Sequence, residues 1–198
     1  MSAVEAPRAC GSCSLCCHVL RVDEIGKLGG HSCLHQRESG GCGIHPTRPG
    51  VCRAYRCLWL SGGLREPDRP DRLGAVLDLV NEGAGAWLAI RQAEPGAFER
   101  SERLREIAEE FRASLPVRIT DVADTLDADR PYRVLLPGGE EHRVEGDRVE
   151  IHRDGLPVER RRLSWLERRV RRLALGFRRW RLRRFPSRAA AFRDRTGG

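Results

Sequence analysis

Residues 10–17 read CGSCSLCC, and this stretch decides how the front of the chain is built. It puts Cys10, Cys13, Cys16 and Cys17 within eight positions; Cys33, Cys42, Cys52 and Cys57 follow, and no cysteine occurs afterwards. In a Cys-x-x-Cys turn the chain folds back on itself, so two thiolates converge on one ion. Residues 1–60 are also rich in Gly and His and show little hydrophobic periodicity. Loops organised around bound metal, rather than around hydrocarbon, are the expectation for this zone.

Three cysteines spaced by two residues match the start of a bacterial iron–sulfur run, although the closing C-x₃-C-P is missing. Adjacent Cys16 and Cys17 point in different directions, so they are not expected to be equivalent ligands of one ion. Eight thiolates are twice what a structural zinc site uses. The count suits two four-ligand sites, one iron–sulfur cluster with spare thiols, or a mixed set with His18, His35 or His45. Zinc and iron both accept cysteine ligands, which leaves the metal open. A disulfide framework is disfavoured because nothing marks the chain for export and cytosolic thiols stay reduced. Arg48, Arg53 and Arg56 lie beside the later cysteines and are expected to offset thiolate charge.

These residues resemble the YkgJ-like cysteine-cluster proteins, the bacterial CxxCxxCC family. The similarity lies in CGSCSLCC, Cys33 in HSCLH, Cys42 in GGCGIH and TRPGVCRAYRCLWL, the last supplying Arg48, Pro49, Cys52, Arg53, Tyr55, Cys57 and Trp59. It is specific over residues 10–60 and weaker over 67–137, and does not reach the Arg-rich end. The resemblance implies zinc or iron chelation, or an iron–sulfur centre, held by Cys10, Cys13, Cys16, Cys17, Cys33, Cys42, Cys52 and Cys57. A flagellin lysine methylase is similar in the same cluster, so cluster-dependent redox or methyl-transfer chemistry is the alternative. No catalytic residue carries over.

Beyond the cysteines, SGGLREPDRPDR (61–72) reads as a connector. LGAVLDLV and AWLAIRQ are short β-favouring runs separated by NEGAG, which predicts a hairpin. In 98–114, Leu104, Ile107, Ala108 and Phe111 share one face of a helix that Pro116 ends. VRITDV and three short runs at 133–136, 141–144 and 148–152 complete a small sheet. The expected fold is therefore α+β. A loop-rich, metal-organised cysteine domain (1–60) precedes an α+β accessory region (61–157) with one covering helix. A basic amphipathic helix and tail (158–198) follow, the helix over 158–185.

That last zone carries the other unusual feature. The chain of 198 residues has a net charge of +8, yet residues 160–195 alone hold 15 Arg against two acids, Glu167 and Asp194. Leu163, Leu166, Val170, Leu173, Phe177 and Trp180 form a narrow apolar stripe through this segment. The first expectation is that the stripe docks on the sheet. The alternatives are nucleic acid or an anionic membrane surface met through residues 160–184, with Arg168, Arg169, Arg171, Arg172, Arg178 and Arg179 as contacts. Asp23 and Glu24 are candidates for a general base or, more simply, turn acids; His142 and His152 are expected to be surface or core residues. No phosphate loop, dinucleotide fingerprint or nucleophile elbow is present. With no apolar run near ~20 residues and no signal-like N-terminus, a cytoplasmic protein is expected.

Overall fold

The computed structural model describes residues 8–82, 85–121 and 130–184. Gly83 and Ala84 of the expected hairpin turn lie outside them, as does the tail after 184. The side chains of Arg178 and Arg179 are likewise not among those described.

The architecture is α+β, with a seven-stranded mixed sheet whose strands lie in chain order. β1 (Ala75–Glu82) and β2 (Gly85–Gln92) form the expected antiparallel hairpin. β3 (Val117–Thr120) then runs parallel to β2, which requires a crossover. Beyond α3 (Pro70–Leu73), the helix expected over 98–114 divides at Ser101 into α4 (Ala97–Arg100) and α5 (Glu102–Arg112), and α5 supplies the crossover. Its start is capped by Ser101, whose hydroxyl accepts from Leu104 N at 3.2 Å. Leu104, Ile107 and Ala108 are buried, while Phe111 packs at the edge of the core. Arg112 fastens the other end by donating to Leu136 O and Glu140 O.

The remaining strands are antiparallel: β4 (Tyr132–Leu135), β5 (Glu140–Glu145), β6 (Arg148–Arg153) and β7 (Leu156–Arg162). β7 corrects the expectation of a helix from residue 158. The two-residue turn Asp154–Gly155, with φ of 51° and 80°, returns the chain along β6. Both residues have positive φ, the geometry whose twist suits a hairpin. The C-terminal helix, α6 (Trp165–Arg184), starts only after this strand.

β1 places the candidate site, because its first residues, Ala75–Leu77, are buried on both faces. Ala75 and Leu77 belong to the core formed with Leu88, Ile90, Leu104 and Ile107. The alternate residues, Val76 and Asp78, line a cavity on the other side together with the cysteines. The short helix α1 (Leu15–Val19) lies against β1. Leu58 and Trp59 run across the expected boundary at residue 60 and join the sheet core. Leu58 N donates to Leu77 O at 2.7 Å, and Trp59 Nε1 to Glu66 O at 2.9 Å.

Candidate metal centre

All eight cysteines border one cavity of about 360 Å³, and all are free thiols. Local hydrogen bonds set the loops that bring them there. Cys13 N donates to Cys10 O at 2.9 Å, closing the first Cys-x-x-Cys turn, and α1 then carries Cys16 and Cys17. Cys33 N reaches back to Cys17 O at 3.1 Å, tying the middle loop to α1. Gly40 and Gly41 sit at φ of 86° and 80° against the backbone of the CGSC turn. A Cβ on either would come within 2.5 Å of Ser12 O or 2.7 Å of Gly11 O. Only glycine permits that approach. It carries Cys42 to the wall. α2 (Gly50–Ala54) supplies Cys52, and Cys57 follows it where the chain enters the core.

The thiols act on one another across the cavity. Cys16 is pushed upward by its hydrogen bond with Cys17, by burial, and by Cys17, Cys10 and Cys13 nearby. Cys57 is raised by burial and feels Cys10. Burial and the neighbouring Cys17, Cys33 and Cys42 push Cys52 up to about 11. Cys17 goes the other way, because the hydrogen bond with Cys16 favours its thiolate and Lys27 adds to the effect. Cys16 thus feels Cys10 and Cys13 as well as Cys17, and Cys52 feels Cys17, Cys33 and Cys42. Among the described residues, however, no group of three or more His, Cys, Asp or Glu is arranged to hold a metal ion. The donor chemistry fits a soft metal, and the thiols stand around a shared space instead of closing on one point.

Lys27, the single lysine, is the cation that sequence reasoning passed over. It is 8% exposed, and Nζ donates to His18 O at 2.9 Å and to Leu20 O. Burial lowers its pKa, against the pull of Cys33, Cys17, Cys16 and Cys52. The sequence signal available was a lone Lys in a chain of Arg, two turns after the CC pair. Arg48 also lines the cavity, donating to Cys52 O and His45 O, while Arg56 donates to Leu60 O.

His35 and His45 line the cavity, whereas His18 and His31 are not on its wall. Glu24 is occupied as a helix cap, with its two carboxylate oxygens accepting from Gly50 N and Val51 N, which speaks for the structural reading of that acid. Against the sheet, Asp78 pairs with Arg91, and Tyr55 completes the wall. Among the described residues the buried Tyr55 hydroxyl has no hydrogen-bond partner, and burial raises its pKa. His142 is bonded to Glu140, while the buried His152 has Nε2 3.6 Å from Glu150 Oε2 and no hydrogen bond to either ring nitrogen among the described residues.

A scan against protein-family models found no match, and searches of curated proteins and solved structures found none. The resemblance to the CxxCxxCC proteins therefore stands on the quoted residues alone.

Proposed function

We propose that the chain is a metal-binding protein that holds zinc or an iron–sulfur centre through two four-cysteine sets. The first set is Cys10, Cys13, Cys16 and Cys57, and the second is Cys17, Cys33, Cys42 and Cys52. One observation carries this reading: eight free thiols border a single cavity. A lone tetrahedral ion, with its sulfurs ~2.3 Å away, would leave half of them unused. Assigning Cys16 and Cys17 to different sets also resolves the difficulty of two adjacent ligands.

A structural metal contributes its binding free energy to folding, about 10 kcal/mol or more for zinc-finger peptides. The front loops need such a source, because the buried apolar residues before Leu58 are few, Val19 and Val22 among them. Lys27 supplies one positive charge beside the thiolates and holds the α1 end by its carbonyls.

Elemental analysis and a visible spectrum of anaerobically purified protein test the proposal. Zinc without colour, or iron with acid-labile sulfide and absorption that dithionite bleaches, supports it and names the metal. Cys57→Ser and Cys52→Ser should each lower bound metal by about half, since each removes a ligand from a different set. Native protein with its thiols paired to each other, or isolated anaerobically with neither zinc nor iron bound, overturns it.

A further inference from the structure

α6 meets the body with the wrong side for a core helix. Arg168 pairs with Asp147, Arg171 donates to Gly146 O and stacks over the Tyr132 ring, and Leu175 is half-buried. At ~100° per residue these three positions share one face. Leu166, Val170, Leu173, Phe177 and Trp180 lie about half a turn away, and are 62%, 58%, 64%, 62% and 47% exposed. The expectation that the stripe covers the sheet is therefore corrected. The polar side of the helix is anchored to the β5–β6 turn, and the apolar side faces outward.

We propose that this outward stripe lies on an anionic lipid surface. Three observations point to that occupant. Residues 160–195 carry 15 Arg and two acids, a one-signed charge that attracts anionic headgroups. Arg169 and Arg172 are placed along one border of the stripe, where headgroup phosphates would lie beside it, and Arg169 stacks on Trp165 at 5.2 Å. Aromatic side chains stand near both ends, Trp165 at the start and the stacked pair Phe177 and Trp180, 5.6 Å apart, further on. Tryptophan favours the boundary between hydrocarbon and water. No helix among the described residues is long and apolar enough to cross a membrane, so α6 would rest in the interface plane.

The same charge argues against a second copy as the cover, because two identical stripes would bring two Arg-rich segments together. Nucleic acid would engage the Arg side chains but has no use for five exposed large apolar side chains on one line.

Co-flotation of the full-length protein with phosphatidylcholine vesicles, with and without phosphatidylserine, tests the proposal. Binding is expected to need phosphatidylserine, to weaken with salt, and to shift tryptophan emission to the blue. Leu173→Glu with Phe177→Glu, both solvent-facing, should leave thermal unfolding unchanged and weaken vesicle binding by about tenfold or more. Arg169→Glu with Arg172→Glu should weaken it while preserving the fold. Absence of binding to either vesicle, or equal binding by the Leu173→Glu/Phe177→Glu protein, overturns the proposal. So does a duplex oligonucleotide competing vesicles away while itself binding that variant undiminished, or a dimer in solution that the same substitutions dissolve.

Discussion

Glu24 straddles the start of the helix that bears Cys52, with Oε2 2.8 Å from Gly50 N and Oε1 2.8 Å from Val51 N. Twenty-six residues separate Glu24 from Gly50, so this cap fastens the loop after the CC pair to the last cysteine segment. Removing it exposes two amide donors and a helix start that favours negative charge. Glu24→Ala should cost about 1–2 kcal/mol, and Glu24→Gln less, since one oxygen still accepts. Urea unfolding of the metal-free and metal-loaded proteins reads both values.

Asp68 and Arg103 form a two-pronged pair, with Nε to Oδ1 and Nη2 to Oδ2 both at 2.9 Å. Asp68 is 2% exposed, and the pair locks the connector to α5. Asp68→Asn leaves Arg103 only Glu106 and Glu110 as carboxylate partners among the described residues, at a cost of about 1–3 kcal/mol.

A pH dependence follows from the same carboxylate. Arg103, with help from Arg65, outweighs burial and holds the Asp68 pKa below its ordinary value. The folded state thus keeps Asp68 ionised at a pH where the unfolded chain, near ~3.9, takes up a proton. The contribution is complete above that unfolded value and is lost as pH falls through the lower folded one. The acid limb of stability should be flatter in Asp68→Asn, as urea midpoints between neutral and acidic pH will show.

Tyr55 offers a test of the cavity that spares every cysteine. Its hydroxyl is buried and unpaired beside the thiols, so in metal-free protein Tyr55→Phe should leave stability unchanged or raise it by about 1 kcal/mol. Greater destabilisation of the metal-loaded form than of the metal-free form would show that the hydroxyl bonds to the bound group.

Asp154 is the non-glycine residue of positive φ, 51°, among those described. Asp tolerates the left-handed region, and a β-branched side chain does not. Asp154→Val should cost about 1–2 kcal/mol and loosen the β6–β7 pairing, whereas Asp154→Asn should be close to neutral. Thermal unfolding and hydrogen exchange along β7 measure the difference.

The β1–β2 hairpin and α5 were legible because burial imposes a period: Leu104, Ile107 and Ala108 at helical spacing, and buried runs such as Leu88–Ile90. β7 was not. All seven of its residues are exposed, so LPVERRR has no apolar alternation, and its Arg run reads as the start of the helix beyond. Asp154–Gly155 was the overlooked hairpin signal. The cavity was legible as a set of thiols, but not which of them stand near one another, as Cys57 does with Cys10 and Cys52 with Cys17. Those proximities depend on loop paths fixed by Gly40, Gly41 and Glu24, contacts that span up to 30 residues and leave no periodic trace. The orientation of α6 was equally hidden, since a stripe under Arg looks the same whether it turns inward or outward.

β1 works as a party wall between two rooms. Leu77 furnishes the hydrocarbon side and Val76 the sulfur side, one residue apart on the same strand. A wall of that kind cannot be dismantled from one room only. Stripping the sulfur side should therefore be felt by the packing around Leu104 and Ile107, and the protein should melt in one step whether or not metal is bound.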